Sequence, residues 1–442
     1  MPRPPSERGL GPGQRAVTVL TRIRGAGTRT DPVVAVVQDG ARLHYALPLA
    51  LQREALLGVM FTDWFVRAGS GEDAVAALLR RVAPDLGQRL GGRRCAGLPP
   101  ERVASNPLIA LKVWLARFRD EPAEVREARL SQWIGAWVAR QGWRGANCLM
   151  GFVRSVDPAL CEAARAAGLA TVVDQIIAPA EVEHAAMQRQ AARWPEWAPG
   201  GGPSRPHKVI ALEARTWQAA DRITCPSSYV RDGLVRSGVS PERISVLPYP
   251  IDAATWEPVD RAGRTGPVTV GFVGSVGLRK GAPAVFELAR RFDPARVRFV
   301  MVGPAAVPPH ILAAAGGRVE LTGPVPRSAI RARLRTFDIF LLPSACEGSA
   351  GAVMEAMASA LPVVTTPYAG APIEDGQEGF LRDSQDLDGL AACIDRLAED
   401  PALRARMGLA GRQRAELLGI DGYGRSLRAI LEGVLGRRPE AP

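Results

Sequence analysis

Short apolar strands alternate regularly with helix-forming segments between residues 268 and 365, and this alternation constrains the fold more than any other feature. The segments 268–273, 298–302 and 339–342 are almost continuously apolar, which is typical of strands buried on both faces of a parallel sheet. The sequence therefore predicts a doubly wound α/β sheet. Ligands of such sheets bind beyond the carboxyl ends of the strands, so the loops after these three strands are candidate sites.

The N-terminal half shows the same alternation less regularly. Strands are predicted at 33–37, 147–152 and 171–174, with a helical pattern at 159–167. A strand, a helix and a second strand in this order are typical of parallel sheets. Apolar residues at helical spacing from 47 to 59 predict a helix after the first strand. This half is therefore also expected to form a parallel sheet.

The chain of 442 residues is too long for one hydrophobic core, so two domains are expected. The segment 253–267 is polar, contains Pro and Gly and lies between two strands, which makes it the predicted linker. Residues 1–15 are rich in Pro, Gly and Arg and are predicted to be a disordered tail. The domains are then residues 16–252 and 268–420, followed by an amphipathic segment at 421–442.

The first candidate loop, residues 271–281, has the sequence GFVGSVGLRKG. Its glycines, among them Gly274, allow a tight turn and a close approach to a ligand. Arg279 and Lys280 follow the turn, and two cations at this place suit a diphosphate, whose charge they neutralise. The loop matches neither the Walker pattern nor G-x-G-x-x-G, and a basic surface loop is the alternative interpretation.

The second candidate loop follows the strand at 339–342 and opens a helix near Gly351. Unpaired N–H groups at a helix start favour an anion. Glu347 lies in the loop and Glu355 lies about one turn into the helix. Carboxylates accept hydrogen bonds from neighbouring hydroxyls, such as those of a ribose. The alternatives are a charge that stabilises the helix start for Glu347, and a solvated helix face for Glu355.

Four segments together resemble the GT-B glycosyltransferases, and among them the large retaining family 4. They are CPSSYVRDGLVRSGVSPERISVLPYPID (225–252), the loop 271–281, the stretch 323–364 and EDGQEGFL (374–381). The most specific feature is the E-x7-E spacing of Glu347 and Glu355. The resemblance implies two Rossmann-like doubly wound domains that face each other across a cleft. It also implies that the last helix packs back on the N-terminal domain.

The resemblance further implies a role for each matching residue. Glu347 is expected to contact the hydroxyls of the donor sugar, Glu355 to hold the ribose, and Arg279 with Lys280 to bind the diphosphate. Glu347, Arg279 and Lys280 are thus the catalytic candidates. The other donor-side candidates are Gly274 and Ser275, Pro324 and Val325 near the base, and Gly348, Ser349 and Ala350 as backbone donors.

The implied reaction moves a sugar from a UDP-, GDP- or ADP-sugar to a sugar, polysaccharide or lipid-linked acceptor, with retention of the anomeric configuration. Neither a metal nor another cofactor is expected, because basic residues replace the cation in this family. The chain departs from the family pattern at Ser275, where an Arg is frequent, and at Ala178, where a His is frequent. The alternatives are therefore a non-catalytic nucleotide-sugar-binding pseudoenzyme, and an epimerase or phosphorylase of the same fold. Arg42, His44 and Asp174 are the acceptor-side candidates.

The formal net charge of +11 implies attraction to anions. Nucleic acid is not an expected partner, because aromatic residues make up only 6% of the chain and no basic–aromatic motif is present. The arginines at 80–94 with the apolar piece at 108–118 predict a solvated basic face, with contact to an anionic membrane as the alternative. Scattered cysteines and the lack of a signal peptide or membrane span predict a cytoplasmic protein, peripheral on the inner membrane face in that alternative.

Overall fold

The computed structural model of the chain describes residues 31–116, 123–259, 261, 263–305 and 307–436. The predicted tail at 1–15 lies outside these residues. The described residues contain two parallel β-sheets of seven and six strands, with helices on both faces of each. This arrangement confirms the predicted fold class of two doubly wound α/β domains.

The N-terminal sheet has the strand order β3-β2-β1-β4-β5-β6-β7, and all of its strand pairs are parallel. Its strands are β1 Val34–Val37, β2 Leu57–Thr62, β3 Val103–Ser105, β4 Cys148–Phe152, β5 Ala170–Asp174, β6 Arg222–Cys225 and β7 Ile244–Val246. Its helices are α1 Ala46–Arg53, α2 Gly71–Val82, α3 Pro84–Gly91, α4 Pro107–Ala116, α5 Ala123–Gln141, α6 Pro158–Ala166, α7 Ala180–Arg193, α8 His207–Ala219 and α9 Ser228–Arg236.

The C-terminal sheet has the order β10-β9-β8-β11-β12-β13, so the direction of winding reverses between β8 and β11. Its strands are β8 Val268–Val273, β9 Val297–Val302, β10 Val319–Leu321, β11 Ile339–Leu342, β12 Val363–Thr365 and β13 Gly379–Leu381. The helices of this half are α10 Ala282–Arg291, α11 Pro309–Ala315, α12 Arg327–Leu334, α13 Gly351–Ala358, α14 Leu387–Glu399, α15 Pro401–Leu417 and α16 Ile420–Leu435. The loops after β8 and β11 therefore meet at the switch point, where ligands of such sheets bind.

The predicted helix from 47 to 59 is wrong beyond Arg53, where α1 ends. Ala55 has a positive φ of 57°, and the chain then turns into β2. All six residues of β2 are buried, so its sequence is a continuous apolar run whose period fits a helix as well as a strand. The helical stretch predicted at 75–94 is two helices, because Pro84 has no N–H to continue α2 and begins α3 instead.

Two connections join the halves. The predicted linker is fixed to the C-terminal sheet, where Arg261 donates hydrogen bonds to the carbonyls of Phe337 and Ala360. The last helix, α16, packs against α1, and its Tyr423 and Leu427 belong to the same hydrophobic core as the buried side chains of α1. Among the described residues, no helix combines the length and the apolar character that crossing a bilayer requires.

Candidate active site between the two sheets

The loop after β8 is shaped by close contact between backbones. Gly281 has a φ of 74°, and a Cβ at this position would lie 1.9 Å from the carbonyl oxygen of Pro343. A Cβ on Gly303 would lie 2.1 Å from the carbonyl oxygen of Gly274. Only glycine fits such places. The loops after β8, β9 and β11 are thereby held together, and the turn that carries Arg279 and Lys280 reaches the loop after β11.

Three of the predicted residues converge at this point. Oε1 of Glu347 lies 2.9 Å from Nη1 of Arg279 and 2.9 Å from Nζ of Lys280. Glu347 is buried, and its Oε1 forms no contact of hydrogen-bond geometry among the described residues. Its amide donates to the carbonyl of Tyr368 at 2.9 Å, which fixes the loop. The carboxylate is thus neutralised by two cations and keeps its hydrogen-bonding capacity for a ligand.

Gly348 lies at a contact between the two domains. A Cβ on this residue would lie 1.8 Å from the carbonyl oxygen of Ile176, in the loop after β5. The hydroxyl of Ser227, at the start of α9, donates to the Gly348 carbonyl at 2.7 Å. The loop after β11 therefore contacts the N-terminal domain directly, and both domains contribute to the same site.

Glu355 is the second buried carboxylate of this region and lies in α13. Nη2 of Arg327 donates to its Oε1 at 2.9 Å. Burial raises the pKa of Glu355, and the charge of Arg327 opposes that shift. Pro324 is exposed and Val325 packs against the C-terminal core, in the loop that leads to Arg327.

The other donor-side candidates differ in whether a ligand could reach them. Gly274 makes the turn after β8 with a φ of 149°, and Ser275 beside it is exposed. Ser349 lines the cavity between the domains. The expectation that Ala350 offers a free backbone donor is wrong, because its amide donates to the carbonyl of Ala369 at 2.9 Å.

A cavity of about 400 Å³ lies between the domains, with Arg279, Glu347, Gly348 and Ser349 on its C-terminal wall. On the opposite wall, Asp39 and Arg42 form a double ion pair with two contacts of 2.8 Å. Burial alone would raise the pKa of Asp39, but Arg42 and a hydrogen bond from Ser155 lower it overall. Arg42, an acceptor-side candidate, thus lines the cavity, although its charge is neutralised by Asp39.

Sequence reasoning missed Asp39, Arg154 and Tyr249, which all line this cavity. Arg154 follows β4 with a positive φ of 76°, and its Nε lies 2.9 Å from the buried carboxylate of Glu213. A signal was available for Asp39 and Arg154, because both come within two residues of the carboxyl end of a predicted strand. Tyr249 lies three residues beyond β7, in the segment 225–252 that carries the resemblance, but it was not singled out there.

Asp174 is fully buried at the end of β5 and lies outside the residues that line the cavity. Tyr249, which does line it, donates a hydrogen bond to Asp174, and the hydroxyl of Thr224 donates another at 2.7 Å. Burial raises the pKa of Asp174 to about 6, although both hydrogen bonds oppose this. The structure therefore places Asp174 behind the wall of the cavity.

His44 is exposed and lines a different cavity, which also contains Arg327. It is the middle one of three consecutive residues with positive φ, between Leu43 at 49° and Tyr45 at 64°. Such angles are costly for residues other than glycine. Partial desolvation by the surrounding protein and the charge of Arg327 lower the pKa of His44.

Comparisons with known proteins agree with this geometry. Residues 170–255 match the family model described as Glycosyltransferase Family 4, and residues 267–400 match the one described as Glycosyl transferases group 1. Two segments of the chain are thus similar to glycosyltransferase domains, and the fold is that of the GT-B glycosyltransferases. Sucrose-phosphate synthase from Thermosynechococcus elongatus has a similar fold, with a TM-score of 0.65 and 16% identity over 92% of this chain and 100% of that one.

Two further proteins are similar to this chain. HepE from Anabaena, solved in complex with UDP and glucose, aligns with a TM-score of 0.59 and 15% identity over 91% of this chain and 99% of that one. Glycogen synthase from Mycobacterium tuberculosis is 28% identical over 235 residues, which are 51% of this chain and 56% of the relative. The chain thus spans about half the length of the curated relatives it matches.

Proposed function

We propose that the chain transfers a sugar from a nucleoside-diphosphate sugar to a carbohydrate or lipid-linked acceptor, without a metal and with retention of the anomeric configuration. The observation that supports this most directly is the meeting of Glu347, Arg279 and Lys280 at the switch point of the C-terminal sheet, facing the N-terminal domain. A carboxylate and two cations in one cavity suit a sugar that is joined to a diphosphate.

The ion pairs of Glu347 are expected to exchange when the donor binds. Arg279 and Lys280 then contact the diphosphate oxygens, while the freed carboxylate accepts hydrogen bonds from the sugar hydroxyls. As the bond between the anomeric carbon and the diphosphate breaks, both cations stabilise the charge that develops on the leaving oxygen. The acceptor oxygen attacks from the same face, and its proton passes to an oxygen of the departing diphosphate.

Glu355 is expected to hold the ribose of the donor. Its carboxylate is buried and accepts one hydrogen bond from Arg327, so a ribose hydroxyl would contribute a second one. Arg327 is more than half exposed, and its long side chain can move aside or turn to the nucleotide.

The contact of Gly348 with Ile176 supports a closed arrangement of the domains around the reaction. Water competes with any acceptor, and a site made of two domains excludes it when they close. Asp39 and Arg42 line the cavity on the N-terminal side, where the acceptor would bind. Asp39 already accepts a hydrogen bond from the hydroxyl of Ser155, so it can accept one from an acceptor hydroxyl.

A thermal-shift panel of UDP, GDP and ADP with their sugar conjugates tests the donor site. At a concentration of about 100 times Kd, a ligand adds roughly 2.7 kcal/mol of stability. We expect one nucleotide to stabilise the wild type, and Glu355→Ala to weaken its binding by roughly 10- to 100-fold through the lost hydrogen bond. Glu257→Ala, which removes an exposed carboxylate paired with Arg335, is the control. Equal shifts in wild type and Glu355→Ala would contradict the assignment.

A second candidate is nucleotide-sugar binding without transfer. Ala178 stands where the family often has a His; it is fully buried and packs with Ala186 and Cys346. No polar side chain therefore occupies this position. Incubation of the protein with the donor that it binds distinguishes the two functions, because the pseudoenzyme would release no nucleoside diphosphate with any acceptor.

A further inference from the structure

A second cavity, of about 790 Å³, lies beside the candidate active site on the N-terminal domain. Helices α2 and α3 line one side of it and α4 lines the other, and we call it the α2–α4 groove. Its volume is in the range of small-molecule sites. Its apolar lining includes Val75, Leu79, Leu86, Ala110, Leu111 and Trp114.

The helices around the groove expose an unusual amount of apolar surface. Of the twelve large apolar side chains that are exposed among the described residues, seven lie on α2 and α4. In α4, only Ile109 and Ala116 are buried, and Lys112 is the one charged residue. A helix that is apolar on all sides is normally covered, and a contiguous exposed apolar surface marks a site of interaction.

The groove also has polar lining residues. Several of them lie after β2, after α3 and in the C-terminal domain. Arg93 forms an ion pair with Asp63 at 2.6 Å, and both line the groove. The indole N–H of Trp64 is buried and has no acceptor within the described part of the chain. Arg327 belongs to the C-terminal domain and also contacts Glu355, so the groove continues to the donor side of the cleft.

The surface around the groove carries exposed cations. Arg81 and Arg89 are exposed, and within the described residues neither forms an ion pair. Arg89 lines the groove itself. Apolar walls with cations at the rim and at the domain boundary are complementary to an amphiphile that has a hydrocarbon chain and an anionic head.

We propose that the α2–α4 groove binds the hydrocarbon chain of the acceptor, and that this acceptor is a lipid with a phosphate head. This inference rests on the proposed transfer reaction and names the acceptor class for it. The hydrocarbon chain lies between α2–α3 and α4, and the phosphate lies toward Arg89 at the rim and Arg327 at the domain boundary. The group that receives the sugar then reaches the cleft between the domains.

Calorimetric titration of the whole protein with octyl phosphate and decyl phosphate, each below its critical micelle concentration, tests the groove without catalysis. Each buried methylene adds about fourfold in affinity, so decyl phosphate should bind roughly 15-fold more tightly than octyl phosphate. One equivalent should bind. Equal affinities for the two chain lengths overturn the proposal.

A pair of matched variants locates the binding. Leu111→Gln places an amide in the groove, whereas Leu409→Gln makes the same change at an exposed position of α15. Both leucines are about half exposed, so both variants should fold. Leu111→Gln should lower the affinity for decyl phosphate by roughly tenfold, and Leu409→Gln should leave it unchanged. Wild-type affinity in Leu111→Gln overturns the proposal.

Two further measurements separate this proposal from its rivals. If Leu111→Gln loses only its association with phosphatidylglycerol vesicles and still binds decyl phosphate normally, the surface docks on bilayers and the proposal is overturned. UDP binding should be the same in both variants. If decyl phosphate binds as expected while no nucleotide binds to the wild type, the groove is confirmed and the proposed transfer reaction fails.

Discussion

The two domains hold the loops of the candidate site by different means. In the C-terminal domain, loop backbones touch one another at glycines, as Gly281 does with Pro343 and Gly303 with Gly274. Such contacts leave no room for a side chain, so the shape of these loops is determined by the backbone. The charged side chains then converge on one carboxylate, that of Glu347.

In the N-terminal domain, side chains rather than backbone contacts hold the loops of the candidate site. The loop after β1 contains Leu43, His44 and Tyr45 at positive φ, where glycine would be the easier residue. It is held by the ion pair of Asp39 with Arg42. Under the proposed function, the C-terminal domain keeps one geometry for a constant ligand, the diphosphate. The acceptor half can change its specificity through single side chains.

The largest expected effect is on the donor half. Glu347→Ala should reduce transfer by at least about 10²- to 10³-fold with every acceptor, because it removes a contact made to the reacting sugar. Asp39→Asn is the matched change on the opposite wall, and its effect should differ from one acceptor to another. Initial transfer rates of both variants with several acceptors test this prediction. Near-normal transfer by Glu347→Ala would contradict the assignment of Glu347 to the active site.

A pH series tests the buried carboxylate behind the acceptor wall. Because the pKa of Asp174 is about 6 in the folded protein and about 3.9 when unfolded, its protonated form is the one that folding favours. Its contribution to stability is complete below pH 4 and is lost as the pH rises through 6. Relative to Asp174→Asn, the wild type should lose roughly 3 kcal/mol between pH 4 and pH 7.

Chemical denaturation at each pH gives this difference in the free energy of unfolding. Asp388→Asn, which changes an exposed carboxylate of α14, is the control and should follow the wild type. A constant difference between wild type and Asp174→Asn across the series would show that Asp174 is not destabilised by its burial.

Gly348→Ala tests the backbone contact between the domains. The new Cβ would lie 1.8 Å from the carbonyl oxygen of Ile176, so we expect a loss of about 2 kcal/mol of stability. Gly351→Ala, three residues later, meets open space in a helix and should be neutral or gain about 0.5–1 kcal/mol. Thermal unfolding compares the two variants. Equal stabilities would mean that the domains are not in contact here in solution.

The smallest expected effect concerns the strained loop of the acceptor half. His44→Gly and His44→Ala both remove the imidazole, but only glycine accepts the φ of 51° without strain. His44→Gly should therefore be more stable than His44→Ala by about 1 kcal/mol. If both variants lose the same fraction of activity, the imidazole itself contributes to function. A stability order in favour of alanine would contradict the loop conformation.

The sequence predicted the C-terminal domain closely because its signals are local. The predicted bounds of β8 and β11 agree with the structure and β9 begins one residue earlier than predicted, since buried parallel strands are short apolar runs between helices. The positions of Arg279, Lys280 and Glu347 followed from the carboxyl ends of these strands. Their assignment to one site required the resemblance, because spacing alone left a basic surface loop as an alternative. Their convergence on one oxygen atom of Glu347 was not predicted.

The N-terminal domain was predicted less well because its determinants are distant in sequence. Gly348 and Ile176 are 172 residues apart, and nothing near either residue predicts their contact. The strand β2 was hidden in a run that also fits a helix. Tyr249 reaches the cavity only through the packing of the chain after β7, which no local pattern encodes.

The packing of α16 against α1 has a consequence for the newly made protein. The N-terminal sheet leaves the ribosome first, yet Tyr423, Leu427 and Leu431, which complete one of its cores, are synthesised only after the whole C-terminal sheet. Until then, Leu47 and Leu51 lack the side chains of α16 that bury them in the folded protein. A nascent chain of this protein therefore carries an unfinished N-terminal domain until the C-terminal sheet and α16 have been synthesised. A graft of the N-terminal domain onto another enzyme must bring α16 with it.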